Sequence, residues 1–190
     1  MKQKFILIAA CGTILLAFFS SCKKDPIIEN EEELITDVEL KLIPEGNFET
    51  VSCRFSDPDG DGGNPPVIET LGSLKAGVVY DGVLTFKNTL ATPTVDITQE
   101  ILTEADDHQV FYQVSSSLSS AISVKYADVD LSNYPLGLKT KFLPLTTGNG
   151  SITVILKHLP EKSAPGVSAG NPANAGGETD AEVVFSLTIE

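Results

Sequence analysis

The chain contains only two histidines, and both lie where their side chains could bind a metal ion. His108 comes directly before the alternating apolar residues of one predicted strand, and His158 follows those of another. If these strands pair antiparallel, both imidazoles point inward at the same end of the fold. Imidazole nitrogens together with carboxylate oxygens form a ligand set that zinc and other transition metals accept.

Acidic residues near both histidines supply carboxylates for such a site. The five candidates precede His108 or lie at the start of the last predicted strand, and they are Glu104, Asp106, Asp107, Glu178 and Asp180. The sequence therefore predicts a divalent-metal site made of His108, His158 and one or more of these carboxylates. The alternative is that each histidine caps the edge of the core and bonds a nearby carbonyl or carboxylate.

A second candidate site is the acidic turn DPDGDG, in which Asp57, Asp59 and Asp61 alternate before a glycine. Calcium loops use this spacing because alternate carboxylate oxygens converge on a hard cation. The helix-loop-helix version also needs a glutamate at its twelfth position, where this chain has Ile68. The pattern therefore favours either a looser calcium site on a strand connection or a turn whose aspartates bond local backbone groups.

The N-terminus has the pattern of a lipoprotein signal. Two lysines precede the apolar run 5–19, and two serines then precede Cys22. An apolar run of about 15 residues is shorter than the roughly 20 that cross a bilayer as a helix. We therefore predict a cleaved signal peptide over residues 1–21 and lipid attachment at Cys22. The small residues before the cysteine resemble the lipobox of bacterial lipoproteins.

The remaining chain is strongly acidic. Of the 13 basic residues, Lys2 and Lys4 lie in the predicted signal peptide. The rest of the chain has 11 basic and 26 acidic residues, so its net charge is −15. This charge repels nucleic acid and attracts divalent cations, so we predict no nucleic-acid partner. Residues 22–34 are charged without apolar periodicity, which is typical of a flexible linker.

Residues 35–190 predict a single domain that is all β. Apolar residues alternate in seven segments, which begin at Val38, Val51, Tyr80, Val110, Ile122, Ile152 and Val183. Turn-rich stretches separate these segments, and helical spacing is confined to one or two turns within residues 95–107. Eight or nine short antiparallel strands indicate an immunoglobulin-like β-sandwich, with an up-and-down barrel as the alternative. We expect the proline- and glycine-rich stretch 160–177 to be a mobile loop that carries contact surface.

Signals of catalysis are weak in this domain. Its serines lack a Gly-x-Ser-x-Gly elbow, and its glycines do not form a phosphate-binding loop before a helix. Cys53 is the only cysteine after Cys22, and it alternates with Val51 and Phe55, so a buried and inert thiol is predicted. We therefore predict that the protein is not an enzyme.

Four segments, DPDGDGGNPPVIETLGSL, EADDHQVFYQV, YPLGLKTKF and GGETDAEVVFSL, carry a resemblance to a protein family. They are similar to small Bacteroidota-type outer-membrane lipoproteins of poorly defined function that accompany outer-membrane receptors. The resemblance implies a lipid-anchored location at the outer membrane, facing either the periplasm or the cell surface. It supplies no binding residues and no oligomeric state.

These observations together predict a non-catalytic, lipid-anchored binding protein of the cell envelope. Its ligand would be a metal or a small nutrient, and its partners would be the membrane, through Cys22, and an outer-membrane receptor. The alternative is a structural or adhesive surface module that is stabilised by calcium at the acidic turn.

The calcium alternative makes a thermal prediction. If Asp57, Asp59 and Asp61 bind calcium, adding calcium raises the melting temperature of the wild-type protein, because a ligand that binds only the folded state stabilises it. The Asp59→Ala variant should then show no calcium-dependent shift in a thermal melt. An unchanged wild-type melting temperature would leave an ordinary acidic turn.

Overall fold

The computed structural model describes residues 34–60 and 62–190, which form nine strands and one short helix. The strands are β1 (Asp37–Pro44), β2 (Val51–Ser56), β3 (Val67–Leu71), β4 (Tyr80–Lys87), β5 (His108–Val114), β6 (Ile122–Tyr126), β7 (Lys139–Pro144), β8 (Gly148–His158) and β9 (Glu178–Ile189). Helix α1 spans Ile97–Thr103, and two 3₁₀ turns follow at Ala105–Asp107 and Pro172–Asn174. The predicted signal peptide, Cys22 and the linker up to residue 33 lie outside the described residues.

The strands form two antiparallel sheets that pack as a β-sandwich. The larger sheet has the order β3-β2-β1-β4-β7-β6, and the smaller sheet has the order β5-β8-β9. The prediction of an all-β sandwich with eight or nine strands is therefore confirmed. The short helix expected within residues 95–107 is also observed. No helix in the described part of the chain combines the length and the apolar character that a membrane span needs.

The main core lies between the sheets, because each strand alternates apolar and polar side chains. In β1, for example, Val38, Leu40 and Leu42 are buried, whereas Glu39 and Lys41 face outward and form an ion pair of 3.0 Å. Across the core, the rings of Tyr112 and Phe142 meet edge to face with centroids 5.8 Å apart. This inter-sheet packing sets the positions of the strand ends.

Two strands, β3 and β7, are not among the segments that the alternation predicted. Three apolar residues of β3, Val67, Ile68 and Leu71, are exposed at the sheet edge. Because β3 has no buried face, its sequence lacks the alternation of apolar and polar residues that identifies a strand. In β7, Thr140 and Phe142 are buried between β4 and β6, but this short strand contains only one large apolar side chain that is fully buried. Pairing with neighbouring strands, and not local pattern, creates both strands.

Cys53 lies in the main core as a free cysteine. Burial raises the pKa of its thiol to about 11, because the surroundings disfavour the charged thiolate. A protonated and buried thiol is a poor nucleophile and a poor metal ligand.

The stretch 160–177 covers part of the outer face of the smaller sheet. Phe111 and Ile155 are opposite one another on β5 and β8, and they pack with Val167 and Ala175 in a second apolar cluster. The stretch expected to be a mobile loop thus contributes two side chains to this cluster. The outer face of the smaller sheet is therefore covered around Phe111 and Ile155, whereas the outward side chains of β9 stay exposed, as at Val184.

A buried ion pair holds the same stretch in place. The ammonium of Lys162 lies 2.7 Å from Asp130 Oδ2 and donates to the carbonyl oxygen of Ala105 at 2.6 Å. Only 5% of the Lys162 side chain and 1% of the Asp130 side chain are exposed. The other oxygen of Asp130 accepts backbone N–H bonds from Ser132 and Tyr134. Lys162 therefore joins three separate segments of the chain.

All described residues belong to one compact unit, Glu32–Glu190. This unit contains both apolar clusters, so it has the core that an independently folding domain requires.

The buried pair makes a prediction about stability. Replacing Lys162 with methionine leaves the Asp130 carboxylate buried without its cation, and the free energy of unfolding should fall by about 3–5 kcal/mol. Urea denaturation of the isolated unit would measure this loss. In the Lys162→Met/Asp130→Asn double variant, the loss should be smaller than in Lys162→Met, because the unpaired charge is gone.

The matched control is Lys141→Met, which removes an exposed lysine that pairs with Glu45 and Asp81. Exposed ion pairs contribute about 0–1 kcal/mol, so this variant should unfold near the wild-type midpoint. Equal losses of unfolding free energy in Lys162→Met and Lys141→Met would show that the buried ion pair stabilises the fold no more than an exposed one.

Candidate metal centre

The pairing of β5 with β8 brings the two histidines together. The register places His108 directly opposite His158, at the start of one strand and the end of the other. Their rings stack with centroids 4.7 Å apart and planes that differ by 9°. Two residues that are fifty positions apart in sequence therefore form one site at the end of the sandwich.

A β-bulge in β9 brings an acidic side chain to the same place. Leu156 of β8 lies opposite Ala181, but the next residue, Lys157, lies opposite Thr179, so Asp180 is the extra residue. Such a bulge changes the direction of side chains along a strand and is common beside functional sites. The nearest ligand atoms of His108, His158 and Asp180 all lie within 4.8 Å of one another.

The tautomer of His108 follows from its hydrogen bond. Its Nδ1 lies 3.0 Å from the carbonyl oxygen of Glu104, which can only accept. Nδ1 therefore carries the proton, and in the neutral ring the lone pair is on Nε2. Metal-binding histidines commonly donate their other N–H to a carbonyl in this way, because the bond fixes the ring orientation. His108 is 2% exposed, so the ring is also held by packing.

Asp180 is in an environment that disfavours a bare carboxylate. Burial raises the pKa of this residue, although the neighbouring rings of His108 and His158 act in the opposite direction. Its Oδ2 is buried and has no hydrogen-bond partner among the residues that the structure describes. A bound cation would offset the desolvation of this oxygen directly.

The other predicted acidic ligands have different positions. Glu178 lies opposite His158 in the β8–β9 pairing and raises the pKa of Asp180, but its carboxylate is not part of the converging cluster. Glu104, Asp106 and Asp107 are exposed on the segment before β5, where they line a cleft. Glu104 contributes its backbone carbonyl to the site, a role that side-chain type cannot reveal.

The acidic turn that contains Asp57 and Asp59 is stabilised by a backbone hydrogen bond from Gly60 to Asp57 and by bonds from Asn64 to Asp59. Asp59 Oδ2 accepts from the side-chain nitrogen of Asn64 at 2.7 Å and from its backbone nitrogen at 3.3 Å. The side-chain bond from Asn64 is the main cause of the lowered pKa of Asp59. Asp61 lies outside the described residues. The calcium site therefore stays a prediction.

Comparison with family models, with curated proteins and with solved structures found no match to this chain. The resemblance to outer-membrane lipoproteins therefore stays an expectation from sequence. The chemistry of the site rests on its own geometry.

Gly177 allows the backbone before β9 to approach the end of β8. A Cβ atom at this position would overlap the carbonyl oxygens of His158 and Leu159, and its φ is +64°. Gly176 has a similar φ of +58°, but a Cβ atom there would meet nothing within 4 Å. Both glycines therefore have a positive φ, but only at Gly177 would a Cβ atom overlap neighbouring backbone atoms.

This difference gives a matched pair of variants. Gly177→Ala should lose about 1–3 kcal/mol more stability than Gly176→Ala, because only the first forces the backbone away from His158. Chemical denaturation measures the losses, and the histidine ring signals in NMR report the distortion of the site. If both variants lost equal stability and left the ring signals unchanged, close backbone approach would not support the histidine pair.

Proposed function

We propose that this protein is a non-catalytic, lipid-anchored binding protein of the cell envelope that binds a divalent transition metal, with zinc as the best match. The ligands are His108, His158 and Asp180. The lipid is attached to Cys22, and the protein acts at the outer membrane beside a receptor that takes up the metal or another small nutrient.

The convergence of two imidazoles and one carboxylate within 4.8 Å carries the proposal. Nitrogen donors favour zinc and other transition metals over calcium and magnesium, which prefer oxygen. The hydrogen bond from His108 to the Glu104 carbonyl adds the orienting contact that such ligands usually have. Within the described part of the chain, the buried Oδ2 of Asp180 has no hydrogen-bond partner, which supports the same assignment.

Metal binding requires a small rearrangement of these side chains. Tetrahedral zinc with bonds of about 2.0–2.1 Å holds its ligand atoms about 3.4 Å apart. The lone pairs of the two stacked rings lie in nearly parallel, separated planes, so at least one imidazole must turn for both to face one ion. We therefore expect zinc to separate the stacked rings.

Three protein ligands leave the fourth zinc position open to water or to a donor from a partner. Structural zinc sites are closed by four protein ligands, so this three-ligand arrangement differs from that class. The open fourth position would let a donor atom from a partner reach the ion directly. The signal-like N-terminus and the acidic charge support a location in the envelope, where the ion would be collected.

The test is a zinc titration of the metal-free unit Glu32–Glu190, measured by calorimetry. We expect one zinc ion per chain and a higher melting temperature with zinc, because the ion binds the folded state. Cobalt should give the visible absorption of tetrahedral coordination. The variants His108→Ala, His158→Gln and Asp180→Asn should each weaken zinc binding by roughly tenfold or more.

Glu182→Gln is the matched control, because Glu182 is exposed on the same strand as Asp180 and lies opposite Ile155. This variant should bind zinc as the wild type does. Absence of saturable zinc binding, or equal affinity in the wild type and in all three ligand variants, would refute the metal site. Circular dichroism of each variant confirms that the sandwich is intact.

A further inference from the structure

A cleft of about 610 Å³ lies beside the metal centre and is chemically distinct from it. One wall is the segment from α1 to the 3₁₀ turn at Ala105–Asp107, and the opposite wall is the connection from Asp128 to Lys139. Leu84, Leu136 and Leu138 line the cleft, and all three are buried members of the main core. The volume is in the range of small-molecule sites, which span about 300–1,000 Å³.

Apolar side chains also surround the cleft at the surface. Leu131 is 91% exposed, and Val129 and Leu102 are about half exposed. All three line the cleft. Large exposed apolar side chains grouped at one concave surface indicate a contact site more strongly than isolated ones do.

The charged groups of the cleft are mostly acidic. Within the described residues, the carboxylates of Glu104, Asp106 and Asp107 have no ion pair and no side-chain hydrogen bond. Asp128 accepts the backbone N–H groups of Gly137 and Lys139. Lys139 is the single basic residue in the described lining. Carboxylates outnumber basic groups in this lining, so the field at the opening is negative.

Buried hydrogen bonds from Lys162 connect the two walls of the cleft. Lys162 donates both to Asp130 on one wall and to the carbonyl oxygen of Ala105 on the other. These contacts are buried, so the separation of the walls is set by the fold before a ligand arrives. A preformed cleft binds without the cost of ordering its own walls.

We infer that this cleft binds a small organic cation that has an apolar body and a protonated nitrogen. The apolar body occupies the leucine-lined interior, and the nitrogen lies among the carboxylates of Glu104, Asp106 and Asp107. This site needs neither zinc nor the histidine ligands, so it goes beyond the proposed metal binding.

Three probes of one shape and different charge test the inference: phenylbutylamine, phenylbutanol and phenylbutyrate. Each is titrated into the metal-free unit Glu32–Glu190 and followed by ligand-observed NMR. For probes of this size we expect dissociation constants on the order of 1 mM for the amine. The amine should bind about tenfold tighter than the carboxylate, with the alcohol in between, because like charges repel at the acidic rim.

Two variants separate the apolar and the charge contributions. Val129→Ser/Leu131→Ser should weaken the amine and the alcohol alike, because it removes apolar contacts. Asp106→Asn/Asp107→Asn should weaken the amine several-fold and leave the alcohol unchanged. The matched controls, Leu145→Ser for the apolar change and Glu49→Gln/Glu182→Gln for the charge change, alter exposed residues outside the cleft and should bind as the wild type does.

Equal affinity for the amine and the carboxylate would overturn the inference, as would failure of all three probes to bind. Unchanged amine binding in both cleft variants would also overturn it, because the probe would then bind elsewhere. The His158→Gln variant should lose zinc affinity and keep its amine affinity. Failure of the zinc proposal and failure of the cleft proposal are therefore distinguished by two separate measurements.

Discussion

The position of β8 between β5 and β9 is the constraint on which the rest of the smaller sheet depends. Its pairing with β5 sets His108 opposite His158, and its pairing with β9 contains the bulge that adds Asp180. A shift of one residue in either pairing would turn inward side chains outward. The buried alternation of β8 opposes such a shift, because it would expose Ile152, Val154 and Leu156 to water. The same apolar packing that stabilises the sandwich therefore holds the candidate ligands together.

One short segment, residues 104–107, connects the candidate metal centre with the neighbouring cleft. The carbonyl of Glu104 orients His108, and the carbonyl of Ala105 accepts from buried Lys162. The acidic side chains of the segment face the cleft. Backbone groups thus position one site while side chains give the other its charge. The two proposed sites therefore share one strand connection, with Lys162 as a common buried support.

Strand periodicity was readable in strands such as β1, where Val38, Leu40 and Leu42 are buried and alternate with charged residues. It failed for β3, whose apolar residues are exposed at an edge. Composition predicted a loop at residues 160–177, and the structure has turns and a short 3₁₀ helix there, but prolines and glycines do not show what the loop covers. Val167 and Lys162 attach that stretch to the domain through partners that are distant in sequence.

The sequence by itself determined the all-β class, because alternation of period two follows from local backbone geometry and needs no knowledge of partners. It also marked His108 and His158 as inward-facing residues at strand ends. Only the tertiary structure decided that these strands are neighbours in the same register, and that Asp180, among five candidate carboxylates, joins them. Register and bulges depend on pairing between distant segments, and the free energy of that pairing is summed over the whole sheet. No single stretch of sequence contains that sum, so the site emerges only when the sandwich is assembled.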